Sequence, residues 1–76
     1  MQLSARNQLK AKVEIVTHGE VMSTVRVALP DGQHITAAIT KDAAAHLDLA
    51  PGDPVMVIIK STEVIVATGI APVEGR

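Results

Sequence analysis

The chain has 76 residues, a formal net charge of −1, and no Cys, Phe, Tyr or Trp. That length makes one domain, marginal for a lone hydrophobic core, and the missing thiols exclude disulfide support and thiolate metal ligation. Scattered charges of both signs and the lack of stacking aromatics disfavour a nucleic-acid surface, and no apolar run approaches the length of a membrane span.

Hydrophobic residues still make up 47% of the chain. The core must therefore be built from Val, Ile, Leu, Met and Ala. An apolar, uncrosslinked chain of this size suits an oligomer that extends its core across subunits. Arg6, Lys10 and Lys12 break the apolar residues near the start, so no signal-peptide pattern is present and a cytoplasmic location is expected.

From Asn7 to Thr17, Leu9, Ala11, Val13 and Ile15 alternate with Lys10, Lys12 and Glu14, which predicts a half-buried strand. His18-Gly19-Glu20 reads as a turn. Val21, Ser23, Val25, Val27 and Leu29 mark one face of a second strand. Pro30-Asp31-Gly32 predicts another turn, since Pro presets φ and Gly accepts a positive φ. Gln33 to Thr40 gives a third strand carrying Ile35, Ala37 and Ile39. Thr40 then suits an N-cap, Asp42 a first turn, and Ala43 to Leu47 have high helix propensity; these predict a helix over 41–47. The loop "APGDPV" leads to Val55–Lys60, an apolar run that predicts a fourth strand buried on both faces. Thr62 to Ala67 reads as a fifth strand, and residues 70–76 as a flexible tail after a domain spanning 1–69. The order β-β-β-α-β-β is compatible with an all-β fold, a five-stranded OB-like Greek-key barrel with one short helix after the third strand.

Catalysis finds little support. His18, His34 and His46 match no zinc spacing, and Asp31, Asp42, Asp48, Asp53 and Glu63 sit near turns or element ends, where acids are common. No nucleophile motif or phosphate loop is present, so no enzyme is expected. Two polar clusters are more suggestive. Ser4, Arg6 and Asn7 offer a hydroxyl, a guanidinium and an amide; Lys60, Ser61 and Thr62 offer an ammonium and two hydroxyls. Arg and Lys only donate, and a convergence of donors without acceptors suits a fully deprotonated tetrahedral dianion. A helix capped by Thr40 would add free N–H groups of Lys41, Asp42 and Ala43 at its positive end. From spacing alone, a solvated lead-in and an ordinary turn fit these clusters at least as well.

The segments "SARNQLKAKV" and "ITAAITKDAAAHLDLAPGDPVMVIIKSTEVIVA", with the length between them, closely resemble the Mop family, the molybdate-binding domains called molbindins. The resemblance covers about residues 3 to 67. It implies an OB-like barrel that binds molybdate, and usually tungstate, without a cofactor and without changing the oxyanion. It also implies a free-standing hexamer, a trimer of dimers, for storage or homeostasis of cytoplasmic molybdenum. The oxyanion is expected between subunits, where the Ser4–Asn7 cluster of one chain meets the Lys60 cluster of another. The matching positions are Ser4, Ala5, Arg6, Asn7, Thr40, Ala43, Lys60 and Ser61. A second class of site is expected near the three-fold axis. Some relatives carry Ser where this chain has Ala43, so one hydroxyl donor is missing and only the backbone N–H is left there. The competing readings are a small oligomeric interaction module and an OB-type nucleic-acid binder, the second disfavoured by charge and composition.

Overall fold

A computed structural model describes residues 5–72. Ser4 of the first polar cluster and residues 73–76 of the expected tail lie outside the described residues. The elements are β1 (Asn7–His18), β2 (Met22–Ala28), β3 (His34–Thr40), α1 (Lys41–Leu47) and β4 (Pro54–Ile59), followed by a single 3-10 turn at Ser61–Glu63. The four strands form one antiparallel sheet in the order β3-β2-β1-β4, curled into half a barrel. The helix follows β3 and lies against β3 and β2, burying Ala44.

The turns form by the expected chemistry. At Gly19 the backbone N–H donates to the Met22 carbonyl at 2.8 Å. A Cβ on Gly19 would stand 2.7 Å from that carbonyl oxygen, closer than a side chain tolerates. Gly32 takes a φ of 90° in the second turn, and its N–H donates to the Leu29 carbonyl at 3.0 Å.

β1 serves two partners. Asn7–Lys12 pair with β4, and Lys12–His18 pair with β2. Between Val13 and Ile15 the register slips, leaving Glu14 as a bulge. A bulge inserts one unpaired residue, so every side chain beyond it changes face. This corrects the simple alternation expected for the strand: Ile15 is exposed, and Val16 packs on the core instead. The bulged Glu14 reaches across the outer face, with Oε2 at 2.8 Å from His34 Nε2 and Oε1 at 3.4 Å from Arg26 Nε.

The core is small. Val13, Val25 and Val27 are buried, with Ile35, Ile39, Leu49, Val55 and Val57 packed against them. Two further expectations fail here. β4 buries one face only, with Met56 and Ile58 exposed, because it is an edge strand lacking a second layer. The fifth strand does not form: residues 61–63 make the 3-10 turn, and residues 64–67 run on without a ladder partner. Ile65 is 93% and Val66 84% exposed. The barrel therefore stays open between the free edges of β3 and β4, above an apolar groove of about 230 Å³ lined by Val25, Val27, Ile39, Val55 and Val57. The surface area of 6406 Å² far exceeds the roughly 4,500 Å² of a compact monomer of this size. The radius of gyration, 14.1 Å, likewise exceeds about 11 Å.

Candidate functional site

The two polar clusters meet within one chain. The β1–β4 ladder ends on Asn7 opposite Ile59, and the Asn7 side-chain Nδ2 donates to the Ile59 carbonyl at 3.1 Å. Continuing that antiparallel register by one step sets Arg6 opposite Lys60, and by two steps Ala5 beside Ser61. The expected meeting of the clusters across an interface thus has an in-chain counterpart at the Asn7–Ile59 rung. Antiparallel pairing joins the start of β1 to the end of β4, although the residues lie at opposite ends of the sequence. Gln8 Nε2 donates to the Ala5 carbonyl at 3.1 Å and ties down the lead-in.

Residues opposite one another in a ladder project to the same face. Arg6 and Lys60 are both exposed, whereas Asn7 and Ile59 are half-buried. Carried one step past its last rung, the register would bring these two cations side by side, an arrangement that is destabilising on its own. Among the described residues the ion pair is that of Glu14 with Arg26, and neither Arg6 nor Lys60 has a carboxylate partner there. Lys60 opens the 3-10 turn without using its side chain as a cap, and its carbonyl accepts the Glu63 N–H at 2.9 Å. Ser61 and Thr62 are exposed beside it. Lys10 and Lys12 continue the outward face of β1 from Arg6. Their alternation was visible in the sequence, but their alignment with Arg6 becomes meaningful only once Lys60 is placed beside it.

Thr40 and Ala43 are not part of this cluster within one chain. Thr40 pairs with Met22, beside the His18 end of β1. The 12 residues of β1 separate that end from Asn7, on the order of 35 Å of strand contour. Thr40 is the N-cap of α1, with its Oγ1 accepting the Ala43 N–H at 3.0 Å. The Lys41 N–H donates to the Val21 carbonyl at 2.7 Å. Of the three N–H groups expected to be free, those of Lys41 and Ala43 are therefore already used. The Thr40 hydroxyl accepts in this bond and keeps its own proton for another partner.

Two of the three histidines, His18 and His34, have structural partners. His18 Nδ1 lies 2.9 Å from Ser23 Oγ, which satisfies a buried hydroxyl, and His34 bonds Glu14. Among the described residues no three His, Asp or Glu side chains gather as a metal site, and no helix is long and apolar enough to cross a membrane. Asp31 is held below its ordinary carboxyl pKa, first by the Gln33 side-chain amide at 2.6 Å and then by the Gln33 backbone N–H at 3.0 Å. Three hollows, one between Lys10, Lys12, Leu29 and Pro30, one beside it between Gln8, Leu9 and Asp31, and one in the half-barrel, are lined by neither Arg6 nor Lys60. An ion held between chains needs no cavity within one chain.

Comparison with known proteins places this arrangement. The TOBE domain family matches residues 3–66. The molybdenum-pterin-binding protein MopA of Rhodobacter capsulatus is 43% identical over 72 residues; the match covers 95% of this chain but only 27% of the length of MopA. A molybdate-binding protein from Sporomusa ovata superposes with a TM-score of 0.84 at 41% identity, covering 90% of this chain and all of that one. The cytoplasmic molybdate-binding protein ModG, in a form with molybdate bound, gives a TM-score of 0.82 at 42% identity over 86% of this chain and 46% of its own. With the family match extending over most of its length, the chain belongs to the TOBE domain family, alongside these Mop proteins.

Proposed function

We propose that this protein binds molybdate non-covalently, with tungstate as an alternative ligand, and serves intracellular molybdenum storage or homeostasis in the cytoplasm. One observation supports the reading: the β1–β4 ladder ends at Asn7 opposite Ile59, a register that leads Arg6 and Lys60 toward each other, and among the described residues neither has a carboxylate partner. A dianion between them turns a repulsive pair into two charge-assisted hydrogen bonds. Ala5, Asn7 and Ser61 frame the same end of the sheet, and Ser4, preceding Ala5 in the sequence, is assigned to the site by the resemblance alone. The Thr40 hydroxyl joins from a neighbouring subunit, and the Ala43 N–H holds that hydroxyl in orientation from behind. The resemblance to relatives named for molybdate supports the choice of oxyanion.

The oligomer in this reading is a hexamer built as a trimer of dimers. The open groove, the free edges of β3 and β4, and the exposed residues 64–67 support it. We propose that this segment closes the half-barrel of a second copy as its fifth strand, giving the OB-like barrel. Its apolar residues would then leave water, and its backbone groups would find partners.

The test is a thermal melt with and without ligand. A ligand that binds only the native state raises the melting temperature by mass action. Molybdate and tungstate, of nearly equal size and charge, are expected to raise it alike, and the smaller sulfate less. An unchanged melting temperature in excess molybdate overturns the proposal.

A further inference from the structure

We infer that Asn7 acts as a positioning residue, clasping the end of the β1–β4 seam so that Arg6 and Lys60 converge on one anion. The inference rests on the oxyanion reading above and assigns Asn7 a part in it different from that of a donor to the ligand. Its amide is already engaged: Nδ2 donates to the Ile59 carbonyl at 3.1 Å, across 52 residues of sequence and in a half-buried setting. Asn7 and Ile59 form the last rung of the ladder. One step beyond that rung the register would set Arg6 opposite Lys60, where the repulsion of two cations would push the strand ends apart. Without the clasp, the rung is a backbone pair at a frayed end, and Arg6 loses its fixed distance from Lys60. The charge spacing that recognises a tetrahedral dianion is thus set by a neutral side chain facing the other side of the sheet.

A ligand donor and a positioning residue differ in how their loss combines with that of Arg6. Residues acting through one another are non-additive, whereas independent contacts add. The experiment measures molybdate affinity by isothermal titration for wild type, Asn7→Ala, Arg6→Ala and the double variant, with Thr40→Val as a control background that removes a contact supplied by the neighbouring subunit. Asn7→Ala is expected to weaken binding about tenfold in the wild-type and Thr40→Val backgrounds, the size of one lost hydrogen bond. In the Arg6→Ala background the same change is expected to cost less than about twofold. Asn7→Ser, whose short hydroxyl does not span to Ile59, serves if Asn7→Ala fails to fold and is expected to behave the same way. Equal losses in the wild-type and Arg6→Ala backgrounds make Asn7 an independent ligand contact and overturn the inference, leaving the oxyanion reading intact. Undiminished binding by Arg6→Ala removes Arg6 from the site and overturns this inference while leaving molybdate binding intact; no molybdate binding by the wild type overturns the oxyanion reading itself.

Discussion

Thr40 and Ala43 form a closed pair: the hydroxyl that starts helix α1 accepts the Ala43 N–H at 3.0 Å and still carries a proton to give away. A single side chain can therefore end β3, start a seven-residue helix and present one donor outward. It does so at the end of the sheet remote from Arg6.

Thr40→Ser is expected to keep both the cap and molybdate binding. Thr40→Val keeps the shape but loses both roles, so it should lower stability by about 1 kcal/mol, as for a lost N-cap, and weaken binding as well. Denaturant melts and titration of the two variants check this. Loss of stability with full affinity in Thr40→Val would remove the residue from the ligand site.

Arg6→Ala and Lys60→Ala should each cost on the order of 2–5 kcal/mol of binding, as for one partner of a desolvated charge pair. Arg6→Lys should also bind poorly, because the planar fork of the guanidinium is lost. Titration calorimetry reads all three. Wild-type affinity in Arg6→Ala excludes that side chain from the site.

Mixing experiments can locate the chain boundary at the site. Arg6 and Lys60 lie at one seam of one chain, so co-refolded Arg6→Ala and Lys60→Ala chains should recover no tight sites. Arg6→Ala refolded with Thr40→Val should recover some, since a two-fold pair places both defects in one site and none in the other. Native mass spectrometry confirms that mixed oligomers form, and tungstate titration counts the intact sites. Recovery in the first mixture and none in the second would reverse the proposed arrangement.

Acid titration offers a check on the turn at Pro30–Gly32. The folded-state pKa of Asp31 is depressed by bonds from Gln33. Its contribution to stability is therefore present above the unfolded carboxyl pKa and disappears as pH falls through the folded value. Removing the largest cause, in Gln33→Ala, should move the Asp31 pKa upward toward the ordinary carboxyl range, as followed by side-chain carboxyl NMR. An unmoved pKa would show that the backbone N–H alone holds it down.

Much of this was legible in the residues because it is local. The helix over 41–47, its Thr40 cap and the Pro30–Gly32 turn depend on neighbours within a few positions, and they formed as expected. The inward face of β2 was equally plain from Ser23, Val25 and Val27. The bulge at Glu14 was not, because periodicity carries no mark of where a strand changes partners. The apolar run 64–67 looked like a strand, but a strand needs an edge, and none in its own chain takes it. The site was half legible. Its residue types pointed to an anion, but which clusters share a chain depends on sheet register, a long-range property that spacing along the sequence does not encode.

β1 has two lengths, the first laced to β4 and the second to β2, with Lys12 and Val13 bonded on both sides just before the Glu14 bulge. Such a strand behaves as two rods sharing a joint rather than as one stiff beam. If Arg6 holds an anion as proposed, a pull there would be taken up at the joint, and little of it would travel along the same sheet to Thr40. Signals between the ligand sites of an assembly would then run from chain to chain through the sites themselves, and each chain would act as an insulator between its two ends.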